Sequence, residues 1–414
     1  METEALLGPY RVLDLCNEIG IFCGKIFADL GADVIKIEKP GGDPNRNIGP
    51  FYHDIPHPEK SLSWFAHNTS KKGITLNIET RQGQEIFKEL VKKADLVLES
   101  FPPGYMSSLG LGYEELSKIN PSIIMTSITP FGQTGPYRDF KPSDLVLLAM
   151  GGLLTLAGDP DRAPVRFSVE QSYHQAGAQA AAASMIALHY RQLSGEGQQV
   201  DVSVQESITQ ALVVMGAQWW DLVKEIPHRE GTRVQRAQLK SKLIYPCKDA
   251  YISWRIYTAA LGRGTNAIVT MMRERGEVSP EVEGIDFTKI DMNYVDAETY
   301  GKWEEAFGRF FAKLTKAELH REAVKRDIMI FPVNSIQDVL SEEQLQARQF
   351  WVKVEHPELD ATITYPGAPF KSTLTPWRIS RRAPLIGEYN EEVYGELLGM
   401  SQEELWILKE QGAI

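Results

Sequence analysis

Lysines near the ends of short apolar runs are the residues of this 414-residue chain best placed to hold an anionic ligand. Lys36 and Lys39 flank the end of one run, Lys71 and Lys72 precede the next, and Lys141 sits in a Pro/Gly-rich stretch. Open parallel sheets bind ligands in loops beyond the carboxyl ends of their strands. Lys39 and Lys141 fall in such loops, whereas Lys71 and Lys72 lie before a strand and need more reach to meet a phosphate. For each, the ordinary alternative is a solvated surface lysine. His67, His174 and His189 are isolated and lack the HExxH spacing of a metal helix, so core or surface positions are expected for them. No GxSxG nucleophile elbow occurs. The glycine pieces at 41–43 (GGD), 110–112 (GLG) and 262–264 (GRG) are neither GxGxxG nor Walker loops and read as turns. Cys16, Cys23 and Cys247 make an odd set without CxxC spacing, which argues against a disulfide framework and against a thiolate metal site.

The elements that must carry these groups follow from hydrophobic period. Residues 11–15 (RVLDL), 34–38 (VIKIE), 73–77 (GITLN), 95–99 (DLVLE) and 122–127 (SIIMTS) read as buried strands. Helical periods over 20–30 and 82–93 lie between them, and this interleaving predicts a helix-covered parallel sheet, hence an α/β fold. The segment 174–191 (HQAGAQAAAASMIALHYR) is alanine-dense and free of proline, which predicts a long buried helix in close contact with its neighbours. SGEG at 194–197 ends it, and a short strand then leads into a helix at 206–223. Charged residues become frequent over 225–327, with a loop-like stretch at 276–296. This region is expected to be a smaller α+β domain between a large domain of 1–224 and a returning part of 328–414. A strand is predicted at 328–333 (IMIFPV). No internal repeat is present.

Composition bounds the function. With 43% hydrophobic and 24% charged residues the chain can bury a large core, and single cores stop growing near ~250–300 residues, so two lobes are expected. Formal charge is 44 − 55 = −11 and the pI is ≈ 5.4, which argues against bulk nucleic-acid binding while allowing a local basic pocket. METEALLGPY has no basic segment followed by an apolar one, and no apolar run approaches the ~20 residues of a membrane span. The expected location is the cytoplasm, with no membrane partner.

Several stretches together resemble a known family. RVLDL…GKIFADLGADVIKIEKPGGD (11–43), NTSKKGITLNIETRQGQE (68–85), DLVLESFPPGYMSSLGLGYEEL (95–116) and SITPFGQTGPY (127–137) are similar to class III CoA-transferases of the formyl-CoA and carnitine CoA-transferase type, and to α-methylacyl-CoA racemases. The likeness continues in 144–166, 195–207, 331–351, 364–371 and 384–393, nearly the whole chain apart from the second lobe. It implies a large Rossmann-like domain made from both chain ends, a smaller domain between, and two chains interlocked as a dimer. It also implies CoA thioesters as substrates with no covalently bound cofactor and no metal. In this family an aspartate attacks the donor thioester, and CoA passes through mixed anhydrides and an enzyme thioester, because a carboxylate serves as nucleophile and as leaving group.

The family aspartate stands four residues before the glycine that opens the alanine-rich helix. Here that glycine is Gly177, which puts Tyr173 at the nucleophile position. A phenol with a reference pKa of ~10 cannot form the aspartyl thioester. Glu170 is three residues earlier and is the one substitute nearby. The racemase branch pairs that aspartate with a histidine just before the position of Asp144, and this chain has Ser143 there. Of the CoA-binding positions, Lys39, Lys71, Lys72 and Lys141 keep a basic residue, while a family asparagine is Ser100 and an arginine is Ser108. The resemblance therefore implies a heteromer in which a homologous, aspartate-bearing subunit does the chemistry. That is the design of the succinyl-CoA:(R)-benzylsuccinate CoA-transferase branch of anaerobic toluene degradation. Two other readings stay open: an active homodimer using Glu170, and a non-enzymatic CoA-thioester binder.

Overall fold

The computed structural model describes residues 5–210, 214–224, 228–236 and 238–414. Six short apolar runs become β1 (Arg11–Asp14), β2 (Asp33–Glu38), β3 (Lys72–Thr75), β4 (Leu96–Glu99), β5 (Ile124–Thr129) and β6 (Gln199–Ser203). They form one parallel sheet in the order 3-2-1-4-5-6. The connecting helices are α1 (Ile21–Asp29), α2 (Leu62–His67), α3 (Arg81–Val91), α4 (Tyr105–Ser108), α5 (Tyr113–Ile119), α6 (Asp144–Met150) and α7 (Ser172–Ser194). The strands run apolar throughout because helices cover both faces. Val12, Val34, Leu96 and Ile124 face Phe27 of α1 and the alanines of α7. Their neighbours Leu13, Ile35, Val97 and Met125 face Phe87 and Leu90 of α3 and Leu116 of α5. The strand order reverses between β1 and β4, so their carboxyl ends open a crevice.

Helix α7 carries the alanine-dense segment. Its buried side is Ala176, Gly177, Ala180, Ala181 and Ser184, and a Cβ on Gly177 would sit 2.9 Å from Phe22 Cβ and 3.2 Å from the Cys23 nitrogen. That is the close approach to α1 which small residues permit. Gly195, at φ 78°, ends the helix in the left-handed region. The expected helix over 206–223 is found as α8 (Val204–Ile208) and α9 (Val214–Val223), while residues 211–213 between them lie outside the described residues.

The chain divides into two compact units, one of Met1–Leu154, Arg166–Ile226 and Gln346–Ile414, the other of Thr155–Val165 and Pro227–Leu345. The second unit contains an antiparallel pair, β7 (Arg233–Arg236) with β8 (Leu239–Lys242), and an antiparallel sheet of β9 (Ile244–Pro246), β10 (Tyr251–Ser253) and β11 (Phe331–Pro332). Its helices are α10 (Gly262–Glu274), α11 (Ala297–Phe311) and α12 (Lys316–Arg326). They enclose an aromatic core of Tyr245, Trp254, Phe287, Trp303, Phe307 and Phe311. The loop-like stretch 276–296 holds the short turns Phe287–Lys289 and Met292–Tyr294. Two expected boundaries differ. The run 328–333 does not return to the large sheet: only Phe331–Pro332 is strand, antiparallel to β10, while Ile328 and Ile330 enter the second unit's core. Residues 155–165 join this unit too, because the Arg229 guanidinium donates to the carbonyl oxygens of Thr155, Asp159 and Arg162.

The tail rejoins the first unit from Gln346 onward. β12 (Trp351–His356) and β13 (Ala361–Pro366) form a hairpin packed on Trp64 and Phe65. The next residues cover the sheet edge at β3. Asn390 Oδ1 accepts from the Thr75 nitrogen at 2.9 Å, Tyr394 Oη donates to the Thr75 carbonyl at 2.6 Å, and the Tyr389 nitrogen donates to the Gly73 carbonyl at 3.0 Å. An open edge strand is thereby protected from pairing with other chains.

The α1–α7 contact gives a direct test. Gly177→Ala forces a methyl group against the root of Phe22, which flexes little, so chemical denaturation should show a loss of about 1–3 kcal/mol.

Candidate active site

The first turn of α7 lines one wall of a cavity of about 290 Å³. Glu18 and Phe22 face it from the β1–α1 region, Asn45 and Ile48 from the turn after β2, and Ser63, Trp64 and His67 from α2. Ser143 and Asp144 enter from the start of α6, and Glu170, Tyr173 and His174 from the start of α7. Gln171, at the N-cap of α7, supplies no side-chain cap. Asp144 does so from another helix: its Oδ1 accepts from the nitrogens of Gln171 and Ser172 at 3.0 and 2.9 Å and from Ser172 Oγ at 2.7 Å. A carboxylate suits that position, since it meets the unpaired donors and the positive end of the helix dipole.

Tyr173 is only 6% exposed and its ring belongs to the core beneath the sheet face. Burial, and then the negative charges of Glu18, Glu170 and Asp144, push its phenol well above the ordinary tyrosine range. It stays protonated across the physiological range and is a weak nucleophile. Glu170 lies at the exposed rim of the same cavity. Partial enclosure, together with Asp144 and Glu18, raises its carboxyl above the usual value. Of the site residues expected from sequence, Tyr173 and Glu170 are brought together.

The expected lysines are dispersed. Lys39 Nζ pairs with Glu79 Oε1 at 2.8 Å beyond the end of β2, where Tyr105 Oη donates to the same oxygen at 2.7 Å. Lys141 is exposed in the loop between β5 and α6. Lys71 is fully buried, its Nζ donating to Asp14 Oδ2 at 2.7 Å, Asn68 Oδ1 at 3.0 Å and the Ile21 carbonyl at 3.1 Å. All three ammonium donors are used inside the fold, so no phosphate reaches this group. Burial alone would raise Asp14, yet Lys71 and Lys36 hold it below the usual carboxylate range. Lys72 stands at the amino end of β3, paired with Asp33 and Glu392 at 2.8 Å each. Ser100 bridges the loops after β1 and β4: its Oγ accepts from the Asn17 nitrogen and donates to Asn17 Oδ1, both at 2.8 Å. Ser108 is exposed, with its Oγ on the Tyr105 carbonyl.

Sequence reasoning passed over three features. His67, at the end of α2, and His174 were expected as separate residues, but their Nε2 atoms lie 3.0 Å apart. Burial and His174 push His67 down to about 4. Asn45 is 5% exposed, and neither Nδ2 nor Oδ1 has a hydrogen-bond partner among the described residues. Glu99, buried at the end of β4, is raised to about 7 by desolvation, against hydrogen bonds from Ser127 and the Phe101 nitrogen. No local pattern marks any of these, because each depends on what distant segments place beside it.

Two measurements follow. Removing one partner of a buried ion pair leaves an uncompensated charge, so Lys71→Met should lower stability by about 3–5 kcal/mol, and Asp14→Leu in the same chain should restore most of it; denaturant titration reads both. Glu99 binds its proton more tightly folded than unfolded. Its contribution to stability is therefore full below the unfolded value near 4.5 and is lost as pH rises through about 7. Glu99→Gln should gain on the parent protein between pH 4.5 and pH 7.5, by about 3 kcal/mol at most for that shift. A stability difference flat with pH would show that Glu99 ionises normally.

Comparison with known proteins agrees with the geometry. A family model described as CoA-transferase family III matches residues 7–390. The succinyl-CoA:(R)-benzylsuccinate CoA-transferase subunit BbsE of Thauera aromatica is 38% identical over 413 residues, covering 98% of this chain and 97% of that one. The succinyl-CoA–D-citramalate CoA-transferase of Chloroflexus aurantiacus is 31% identical, covering 99% and 98%. The crystal structure of a CAIB/BAIF family protein from Brucella suis superposes with a TM-score of 0.79 at 26% identity, covering 94% of this chain and 99% of that one. The chain belongs to CoA-transferase family III.

Proposed function

We propose that this chain is the non-catalytic subunit of a heteromeric class III CoA-transferase. A homologous subunit would supply the nucleophilic aspartate, and CoA would move from succinyl-CoA to an aromatic dicarboxylate of the benzylsuccinate type. The observation that carries this reading is Tyr173. It occupies the first turn of α7, where the resemblance puts the aspartate, and its phenol is buried and held protonated. The relative at 38% identity is itself named as a subunit of a benzylsuccinate CoA-transferase. The Ile21, Phe22, Ile48 and Trp64 walls of the cavity suit an apolar acyl group. Ile186, Tyr190 and Leu193 of α7 are exposed by 70%, 52% and 76%, which supports burial of that face in an interlocked assembly. Lys39 and Lys141, beyond strand carboxyl ends, are the cations of this chain best placed for CoA phosphates. Among the described residues no helix is long and apolar enough to cross a membrane. Three free, buried cysteines support a reducing compartment such as the cytoplasm.

A second reading has its own observation: Glu170 lines the same cavity as Tyr173. One assay separates the two. CoA transfer from succinyl-CoA to benzylsuccinate is measured with the chain alone and with its aspartate-bearing homologue co-expressed. The expected result is turnover only in the mixture, lost on Asp→Asn substitution in the partner. Turnover by the chain alone, abolished by Glu170→Gln, would replace the proposal with a homodimeric enzyme.

A further inference from the structure

His67 and His174 meet in an arrangement that two bare imidazoles do not satisfy. His67 closes α2, His174 lies in the first turn of α7, and both line the cavity. Each ring is held through its Nδ1. That of His67 lies 2.8 Å from the Ser63 carbonyl oxygen, and that of His174 lies 2.8 Å from the Glu170 carbonyl oxygen. Carbonyl oxygens only accept, so both Nδ1 atoms carry protons. In a neutral imidazole the other nitrogen is then a bare lone pair. The two Nε2 atoms face each other at 3.0 Å, so between neutral rings lone pair meets lone pair. Phe22 packs T-shaped against His174, with ring centroids 5.1 Å apart, and resists turning that ring aside.

A cation between the rings resolves the contact, and it is either a proton or a metal ion. A proton leaves the pair charged, and burial, then the neighbouring His174, works against that charge on His67. A metal ion takes both lone pairs and leaves both Nδ1–H groups on their carbonyls. Metal-binding histidines are ordinarily held in this way, the second nitrogen donating to a carbonyl or carboxylate and fixing the tautomer. The spacing agrees. Two nitrogens about 2.0–2.1 Å from one ion lie about 2.9 Å apart at a right angle and about 3.3 Å apart at the tetrahedral angle. The observed 3.0 Å falls between these values.

The surrounding charges favour a cation. Glu18, Asp144 and Glu170 line the same cavity. Lys25 and Lys71, whose charges reach His67, are each offset by a buried aspartate. Lys25 pairs with Asp29 at 2.6 Å and Lys71 with Asp14 at 2.7 Å. Imidazole ligands suit zinc, copper and nickel, whereas magnesium and calcium take oxygen. Among the described residues no group of three or more His, Cys, Asp or Glu side chains is assembled to hold an ion. Water therefore fills the rest of the shell, unlike the four protein ligands of a closed structural site.

We propose that His67 and His174 form a two-histidine site for a divalent transition-metal ion such as zinc, tying the end of α2 to the start of α7 beside Tyr173. This goes beyond the transferase reading and does not depend on it. Acyl transfer in this family needs no bound cofactor, so the ion is a ligand of the cavity wall and takes no part in that chemistry.

The test is calorimetric titration of the full-length chain with zinc chloride after treatment with a chelator. One zinc ion is expected to bind per chain. His67→Gln and His174→Gln should each weaken binding at least about tenfold, the loss that even an outer partner of a metal ligand brings. His189→Gln, at an exposed position of α7, should leave binding unchanged. A second measurement needs no variant: the X-ray absorption spectrum of the zinc-loaded parent protein should report two imidazole ligands, with oxygen in the remaining positions. Magnesium chloride in tenfold excess should not compete. The inference is overturned by the absence of saturable zinc binding, by parent-like affinity in both variants, or by a spectrum without two imidazoles. Equal competition from magnesium would also overturn it, assigning the ion to the carboxylates of the rim.

Discussion

The first unit depends on one buried guanidinium. Arg46 is wholly enclosed, yet each of its nitrogens has an acceptor. Nε and Nη2 take the two oxygens of Glu38 at 2.6 and 2.7 Å, Nη1 takes Glu59 at 2.6 Å, and Nη2 also reaches the Pro384 carbonyl at 2.9 Å. Its flat face lies 3.9 Å over the Trp64 ring. A charge this deep is tolerated only when every hydrogen bond is made, and a planar fork makes them where an ammonium cannot. The contacts join the end of β2, the turn at 44–47, α2 and the returning tail. Trp64 Nε1 donates to the same Pro384 carbonyl at 3.2 Å, and the Ile386 nitrogen donates to Glu59 Oε1 at 2.9 Å. Asn45, Trp64 and His67 are therefore set around the cavity by a structural ion network that itself faces away from any ligand.

A second constraint fixes the geometry of the candidate site. The first turn of α7 is capped by Asp144, a residue of another helix, and so its geometry does not depend on the side chain at 173. The Tyr173 ring joins the core formed by Phe27, Ala176 and Ala180. Helix, cap and cavity need no carboxylate at position 173. The pocket combines apolar walls with the acidic groups Glu18, Asp144 and Glu170 and a histidine pair.

The strands of the large sheet were legible because each is a short apolar run buried on both faces, and α7 because an unbroken alanine-rich stretch has few other ways to fold. The chain boundaries were less so. The run at 328–333 has the apolar content of a sheet strand, but the partner it finds is β10, and nothing local distinguishes the two outcomes. The lysines show the same limit in the site. Lys71 and Lys72 are adjacent and alike on paper, yet one is sealed against Asp14 and the other pairs with Asp33 and Glu392 at the sheet edge.

By itself the sequence determined the α/β architecture and the family likeness, together with a tyrosine, Tyr173, at the position where the resemblance puts an aspartate, since these reside in local period, motif and residue identity. Tertiary structure alone decided which polar groups are neutralised and which are left free to act. His67 and His174 meet across 107 positions, Arg46 reaches the Pro384 carbonyl across 338, and the buried Asn45 side chain has no hydrogen-bond partner among the described residues. Hydrogen bonding and charge pairing depend on separations of about 3 Å, and at that scale the folded chain, rather than the order of its residues, sets who the neighbours are.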